Sequence, residues 1–405
     1  MTRAFRWMTW LALSAAATLA HADDVERGKY LATAGDCAAC HTARRGEPYA
    51  GGRIVPTPFG AIPAPNLTPD TETGIGAWSA DDFYRAMHSG EGHDGRSLYP
   101  AFPFTSYTKV TRADTDAIFA YLKGLPAVRR AAIPDSLRWP YRMRSLMTAW
   151  RTLYFDEGEY KTDPARSAAW NRGAYLVQGL GHCNECHARR NSFGAMVTDP
   201  FLAGGIVPVQ NWYAPDLSMG THGGLAGWTE TDVVALLKTG RSSKGVAVGQ
   251  MAEVVLRSTQ HLTDADLAAM ATYLKSLPDR DPPPQRESAA NARELAMNGQ
   301  KVYTDRCAGC HAADGRGKGD AYPALDGNGS VTEPTGINAI RMVLSGGFSP
   351  ATAGNPRPYS MPPFSQTLSD DDAAAVVTYI RQAWSNKAPS VSPNDVRAYR
   401  STPGG

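Results

Sequence analysis

All six cysteines of this 405-residue chain lie in copies of one short pattern, which constrains the fold more than any other feature of the sequence. Each copy is Cys-x-x-Cys followed at once by histidine. The copies read CAACH at 37–41, CNECH at 183–187 and CAGCH at 307–311. One match could arise by chance, but three matches that use every cysteine could not. The fold must therefore present the same chemical group at three places.

The pattern Cys-x-x-Cys-His is the attachment signature of c-type haem. The two thiols add to the porphyrin vinyl groups, and the adjacent histidine binds the iron as proximal ligand. A redox cysteine pair would not need the histidine, and a structural zinc site would need two such pairs close in space. The sequence therefore predicts three covalently bound haems. Their cysteines are Cys37, Cys40, Cys183, Cys186, Cys307 and Cys310, and their proximal ligands are His41, His187 and His311.

The first 22 residues have the three-part layout of a secretory signal peptide. Arg3 and Arg6 form a basic start, residues 7–19 are mostly apolar, and residues 20–22 form a small-x-small cleavage site. A retained anchor is the alternative, but the apolar run is short for a membrane span. We therefore expect residues 1–22 to be removed and the protein to be exported to the periplasm.

Composition excludes some classes of function. Without the leader the chain would carry 39 basic and 39 acidic residues, so it would be formally neutral. The sequence has no block of lysine and arginine that could neutralise phosphates, and we expect no nucleic-acid partner. No later stretch approaches about 18 consecutive apolar residues, so we expect no membrane span in the mature chain.

The surroundings of the three motifs repeat as well. Similar segments lead into the first two motifs and a looser copy leads into the third, at 27–41, 172–187 and 298–311. A helical signature follows each motif, with Thr or Ser as N-cap, acidic residues in the first turn and apolar residues at helical spacing. These signatures occupy residues 110–126, 262–278 and 368–384. The repetition indicates three units of the same design.

Each unit has an N-terminal helix, a haem loop, a middle region and a C-terminal helix, which is the layout of a class I cytochrome c domain. We predict a mostly α protein with three tandem domains of this class, each wrapped round a covalent haem c. The domains are expected at 23–127, 169–279 and 291–388. Between and after them we place a connector at 128–168, a Pro-rich linker at 280–290 and a C-terminal tail at 389–405.

A methionine on the opposite face of the haem would complete the iron coordination and raise its potential. In a cytochrome c domain it lies between the haem loop and the last helix. The third unit offers Met361, which is followed by proline, and the second offers Met251. We predict both as axial ligands. Met196 and Met219 lie nearer the second haem loop and are interpreted as packing residues.

The first unit departs from this pattern. Its matching segment, residues 98–111, has Phe102 before a proline where the methionine is expected, and phenylalanine cannot bind iron. Met87, His88 and His93 are the other candidates. Alignment on the second unit favours Met87 in the core and His88 on the surface, while His93 lies in a turn. The first haem is thus five-coordinate, bis-histidine or ligated by another residue.

The chain resembles the three-haem cytochrome c subunits of membrane-associated bacterial dehydrogenases. That family includes subunits of quinoprotein alcohol dehydrogenase and of flavin-dependent gluconate, fructose and glucose dehydrogenases, and related subunits serve molybdenum hydroxylases. The most specific segments are RGKYLATAGDCAACHT, NLTPDTETGIGAWSADDF, LYPAFPFTSYTKVT, RWPYRMRSLMTAWRTLYF, RGAYLVQGLGHCNECH and GQMAEVVLRSTQHLTDADL. Family members often have PAMPY where this chain has PAFPF at 100–104.

The resemblance implies an electron-transfer subunit without substrate chemistry of its own. A catalytic partner of flavin, PQQ or molybdenum type would oxidise the substrate. Electrons would pass through the haems to ubiquinone or to a downstream cytochrome or oxidase. The family is held at the outer face of the cytoplasmic membrane, and the aromatic segment 137–155 is a candidate for that peripheral contact. An interdomain packing strip explains this segment equally well.

Two other functions are compatible with the haem motifs. One is a haem enzyme such as a peroxidase that uses an open iron in the first domain, with His88 or His93 as the distal acid–base group. The other is the cytochrome subunit of a terminal oxidase or nitric oxide reductase, which usually carries a membrane helix. The whole-chain resemblance favours the dehydrogenase subunit over both.

Overall fold

The structure is a computed structural model that describes residues 22–218, 224–225, 227–279, 291–319 and 321–400. The predicted signal peptide up to residue 21, Met219 and the Pro-rich linker lie outside the described residues. By its internal contacts the chain divides into two compact units. The first holds the described residues up to Thr162 together with Gln178–His182, and the second holds Asp163–Val177 and the described residues from Cys183 onward.

The described residues are mostly helical, as the sequence predicts. In the first repeat and the connector that follows it, the helices are α1 (22–34), α2 (Cys37–His41), α3 (Ala80–Ser89), α4 (Phe104–Tyr107), α5 (Arg112–Lys123) and α6 (Ser145–Tyr154). The helices around the second motif are α7 (Ala168–Gln178), α8 (Glu230–Thr239), α9 (Gly249–Arg257) and α10 (Asp264–Lys275). The last set is α11 (Ala292–Arg306), α12 (Ala308–His311), α13 (Gly329–Thr332), α14 (Ile337–Ser345), α15 (Asp370–Gln382) and α16 (Pro393–Arg400).

Short antiparallel hairpins fill the regions between the helices. They pair β1 (Ile54–Thr57) with β2 (Gly60–Pro63), and β3 (Gly205–Val207) with β4 (Trp212–Ala214). Further along the chain they pair β5 (Arg241–Ser242) with β6 (Gly245–Val246), and β7 (Gly347–Phe348) with β8 (Ser360–Met361). None of the described helices is long and apolar enough to span a membrane.

The helices before and after each motif cross at a glycine. A side-chain carbon at Gly28 of α1 would lie 1.9 Å from the carbonyl oxygen of Ala117 in α5, so only glycine permits this approach. The same close approach joins Gly173 to Ala269 at 1.9 Å and Gly299 to Ala375 at 2.0 Å. The crossing therefore recurs three times, each time just ahead of a Cys-x-x-Cys-His motif.

The C-terminal helices begin where the sequence predicts. Thr111, Thr263 and Ser369 accept hydrogen bonds from the backbone N–H groups three residues further on, which satisfies donors that a helix start otherwise leaves open. An ion pair lies beside the crossing in the first two repeats, where Arg27 meets Asp114 and Arg172 meets Asp266. The third repeat has Asn298 at the position of these arginines.

The aromatic segment 137–155 divides between packing and exposure. Trp150 of α6 is buried, and its ring lies 6.3 Å from that of Phe104 in an edge-on contact. Trp139 and Leu153, in contrast, are 72% and 70% exposed. Both interpretations of this segment therefore have a structural basis.

Candidate haem-binding sites

The first motif holds its histidine in one orientation. His41 ends α2 and is buried, and its Nδ1 lies 2.8 Å from the carbonyl oxygen of Pro65. A carbonyl can only accept, so Nδ1 carries the proton and Nε2 keeps its lone pair. The Arg53 guanidinium donates to the Ala39 carbonyl at 2.6 Å and fixes the loop around the motif. The imidazole therefore presents Nε2 as the metal-binding nitrogen.

The other two motifs are built in the same way. Nδ1 of His187 lies 2.7 Å from the Pro215 carbonyl oxygen, and Nδ1 of His311 lies 3.0 Å from that of Pro323. An outer hydrogen bond of this kind fixes the tautomer of a metal-ligating histidine and makes it a stronger ligand. Three histidines predicted as proximal ligands thus share one local geometry.

The prolines that accept these hydrogen bonds are absent from the residues predicted from sequence. A backbone carbonyl has no signature of its own, because every residue carries one. A repeated Pro-x-Leu triplet downstream of each motif is the signal that marks them, at 65–67, 215–217 and 323–325.

Burial acts on the protonation of these histidines. It lowers the pKa of His41, His187 and His311, because the charged imidazolium loses solvation, and the carbonyl hydrogen bond opposes this only in part. The neutral imidazole is the form that binds iron. The sites therefore favour the ligating form.

Four of the six cysteines are partly buried, and Cys40 and Cys310 are exposed. No disulfide joins the six, all of which the structure describes. Burial raises the pKa of Cys37 and Cys183 to about 12, and that of Cys186 and Cys307 to about 11, although each of these residues keeps part of its surface accessible. Burial disfavours a thiolate and suits an uncharged thioether. Thiols, oriented imidazoles and surroundings together fit haem c.

The structure places the two predicted methionine ligands in different elements, one in a helix and the other in a strand. Met251 lies in the first turn of α9 and is partly buried. Met361 lies in β8, pairs with Gly347 of β7, and packs against the apolar core of the third repeat. Their role as axial ligands stays a prediction.

Phe102 lies close to the first motif. Its ring is 5.4 Å from that of Tyr107, and the Tyr107 hydroxyl donates to the carbonyl of Gly35 at 2.9 Å. Gly35 precedes Cys37 by two residues. A side chain that cannot ligate iron therefore stands beside the segment that leads into the first haem motif.

The alternative ligands for the first haem have other contacts. Met87 is buried in the core, as expected. His88 was expected on the surface, but its side chain is only 15% exposed, because it stacks on Tyr84 at 4.8 Å and faces Glu157 of the connector, with Nε2 3.7 Å from Oε1. A connector residue that is distant in sequence covers it.

His93 contacts the start of α3. Its Nδ1 lies 2.9 Å from Oδ2 of Asp82, and its ring stacks on Trp78 at 5.7 Å.

In the second repeat, the Met196 sulfur accepts a 3.7 Å hydrogen bond from the Asn184 amide, which fits its interpretation as a packing residue. His93 and Met196 thus both have structural contacts that do not involve iron.

Comparison with known proteins identifies the family. The model of the cytochrome c family matches residues 25–126 and 296–384. The protein named alcohol dehydrogenase (quinone), cytochrome c subunit, of Gluconobacter oxydans is 38% identical, over 95% of this chain and 84% of its own length. The chain belongs to the family of dehydrogenase cytochrome c subunits. The resemblance stated from the motifs is therefore confirmed.

Other dehydrogenase subunits are similar to the same extent. The gluconate 2-dehydrogenase cytochrome c subunit of Pantoea cypripedii is 38% identical over 93% of this chain and 89% of its own length. One subunit of the nicotinate dehydrogenase of Pseudomonas putida is 42% identical over 90% of this chain, which corresponds to 31% of that longer protein. Covalently bound haem c is the cofactor of the cytochrome c family, and the number of three haems in this chain stays a prediction.

Proposed function

We propose that the chain is a periplasmic three-haem electron-transfer subunit. It accepts electrons from a partner dehydrogenase and passes them to the respiratory chain, through ubiquinone or a downstream cytochrome or oxidase. The observation that carries the proposal is the threefold recurrence of one site: a Cys-x-x-Cys-His motif whose histidine Nδ1 donates to a proline carbonyl. Relatives named as dehydrogenase cytochrome subunits support the direction of electron flow.

The residues of the chain have defined tasks in this function. Haem c supplies a reversible one-electron couple when it is bound. The cysteine pairs anchor it, the histidines bind its iron through Nε2, and the proline carbonyls hold each imidazole in place. The glycine crossings keep the two main helices of each repeat in close contact just ahead of the motif.

The partner is a dehydrogenase catalytic subunit of flavin, PQQ or molybdenum type. The relatives carry names that refer to alcohol, gluconate and nicotinate, so the substrate differs within the family. The exposed side chains of segment 137–155 support a peripheral contact with the outer face of the cytoplasmic membrane.

Haem counting tests the proposal directly. Pyridine haemochrome analysis of the exported protein is expected to give three c-type haems per chain. Peptide mass mapping should place one on each cysteine pair. The double variant Cys307→Ser/Cys310→Ser should keep two haems, whereas Ser243→Ala, which changes a surface residue, should keep three. One or two haems in the unaltered protein would refute the three-site proposal.

Electron delivery needs a second experiment. The purified subunit should be reduced rapidly by substrate only when its partner dehydrogenase subunit is present. Reduction by an alcohol, a sugar acid or an N-heterocycle in the absence of that subunit would show that the chain is itself an enzyme.

A further inference from the structure

A buried arginine in the third repeat has no partner for its charge among the described residues. Arg341 of α14 is 2% exposed, and its buried Nε has no hydrogen-bond partner among the residues that the structure describes. Its guanidinium carbon lies 4.7 Å from the ring centroid of Trp212 in β4, which is a cation–π contact. Such a contact leaves all the N–H donors of the guanidinium open.

A second buried arginine of this repeat, Arg381, differs from Arg341 because its guanidinium has hydrogen-bond acceptors. Arg381 is 1% exposed. It donates to the carbonyl oxygens of Pro389, Val331 and Glu333 at 2.9, 2.6 and 2.9 Å. A buried donor without an acceptor is unfavourable, so Arg341 is suited to bind an anion that is not part of the polypeptide described.

Trp212 has the same deficiency. Its indole Nε1 is buried and has no acceptor within the described part of the chain. The indole lies against Gly249, where a side-chain carbon would be 2.7 Å from the ring and 2.9 Å from Nε1. Two open donors, an indole N–H and a guanidinium, therefore lie together.

These donors lie between the two segments predicted to enclose the second haem. On one side, Trp212 precedes Pro215, whose carbonyl orients His187. On the other side, Gly249 precedes the predicted axial ligand Met251 by two residues. The contact between Trp212 and Gly249 thus joins the proximal segment to the segment of the opposite ligand.

The placement of Arg341 is fixed by a reciprocal pair of hydrogen bonds. Tyr213 N–H donates to the Asn338 side-chain oxygen at 2.9 Å, and the Asn338 amide donates to the Tyr213 carbonyl at 2.8 Å. Asn338 lies one turn before Arg341 in α14, and Tyr213 follows Trp212 in β4. The pair holds α14 against β4, and this contact keeps Arg341 stacked on Trp212.

We propose that Arg341 and Trp212 bind a propionate carboxylate of the second haem. The inference rests on the proposed attachment of haem at Cys183 and Cys186. A haem propionate is an anion at the edge of the porphyrin, and arginine is the side chain best suited to a carboxylate, because its N–H groups match the two oxygens. The indole N–H supplies a further donor. The third repeat thereby contributes a residue to the haem site of the second.

The arrangement has a consequence for the second haem. A fixed positive charge beside the haem favours the reduced form, since reduction lowers the positive charge of the iron centre. Counted back from the glycine that ends each helix, Arg341 aligns with an arginine in the first repeat, Arg85 in α3, and with an alanine in the second, Ala235 in α8. Arg85 is paired with Asp82 on its own helix.

Redox titration of the holoprotein tests the inference. Arg341→Met should shift the reduction equilibrium of one haem, the second, by about tenfold toward the oxidised form, which is about 59 mV for a one-electron couple. Arg341→Lys keeps the positive charge, so the reduction potential of the second haem should change little. Trp212→Phe should shift the potential of the same haem by less than Arg341→Met does. Arg257→Met, which removes an exposed charge of α9, is the matched control and should leave all potentials nearly unchanged.

A spectroscopic readout identifies the haem. With ¹⁵N-labelled indoles, the resonance missing in Trp212→Phe should be protected from hydrogen exchange and should move between the oxidised and reduced protein. Unchanged potentials in Arg341→Met, or a Trp212 N–H that exchanges freely, would overturn the inference while leaving the three-haem function intact. A haem count that shows no haem at the second motif would instead refute the proposed function. If Arg341→Met does not accumulate, Trp212→Phe and Arg341→Lys decide the matter by the same measurements.

Discussion

At the scale of single residues, the side chain at the predicted axial-ligand position separates the first site from the other two. Met251 and Met361 occupy segments between the haem loop and the last helix, and Phe102 occupies the matching segment of the first repeat. Methionine sulfur raises the potential of a haem and fills its sixth position. Replacing one residue should therefore change both properties together.

Phe102→Met should give the first haem a sulfur ligand. We expect an additional methionine–iron charge-transfer band in the oxidised protein and a higher potential for one haem. Phe102→Leu is the control, because it makes a similar change in size without a ligating atom. If Phe102→Met leaves the band and all potentials as they were, Phe102 does not stand in the ligand position.

Met361→Leu should remove part of the charge-transfer band and lower the potential of one haem. Leucine keeps most of the apolar volume of methionine, so the packing against the apolar core of the third repeat should be preserved. Met342→Leu is the matched control, since Met342 lies close to Gly347, the partner of Met361 in the β7–β8 hairpin. Loss of the band in the control instead would assign the ligand to Met342.

At the scale of helices and hairpins, the glycine crossings set how closely the two main helices of each repeat approach. Gly173→Ala would place a carbon 1.9 Å from the Ala269 carbonyl, so the helices must separate. We expect a loss of about 1–3 kcal/mol in the free energy of unfolding, measured by denaturant titration of the holoprotein. Gly124→Ala, where an added carbon would lie no closer than 3.4 Å to its neighbours, should cost almost nothing. Equal stability of the two variants would contradict this account of the crossing.

The start of α3 predicts a pH dependence. Ser79 and, to a smaller degree, His93 hold the pKa of Asp82 below its usual range. Since the folded-state pKa is the lower one, this contribution is complete above the unfolded-state value of about 3.9 and is lost as the pH falls below it. Asp82→Asn should cost about 1 kcal/mol at pH 7 and make no difference at strongly acid pH.

Chemical denaturation at several pH values measures this effect. Asp81→Asn is the control, because it removes the same charge from the adjacent residue, which forms an exposed ion pair with Arg112. A loss of stability in Asp82→Asn that is independent of pH would mean that the carboxylate charge does not matter.

Local chemistry was predictable at this scale, and contacts between distant segments were not. The caps at Thr111 and Ser369 follow from residue type and spacing, and the structure has them. The surface position expected for His88 was wrong because Glu157 of the connector covers it. Arg341 and Trp212 were not selected at all, since nothing in either neighbourhood indicates that the fold brings them together.

At the scale of the whole molecule, the exposed part of segment 137–155 bears on where the protein works. Trp139→Ser/Leu153→Ser should reduce co-sedimentation with vesicles of bacterial phospholipid several-fold, because both side chains are apolar and largely exposed. Phe193→Ser removes a side chain that is 65% exposed elsewhere and serves as the control. Equal vesicle binding by the unaltered protein and both variants would mean that segment 137–155 contacts protein and not the membrane.

Each of the three histidines donates its Nδ1 hydrogen bond to a backbone carbonyl, and this acceptor affects how stable the orientation of the imidazole is. A backbone carbonyl carries no titratable proton in the accessible range of acidity, unlike the carboxylate that orients many metal-bound histidines. The hydrogen bond that orients each imidazole is then not lost through protonation of its acceptor. The same hydrogen bond should survive most point mutations at Pro65, Pro215 and Pro323, because every residue type has a backbone carbonyl oxygen. The orientation of the three imidazoles therefore tolerates both acidification and sequence change at the acceptor positions.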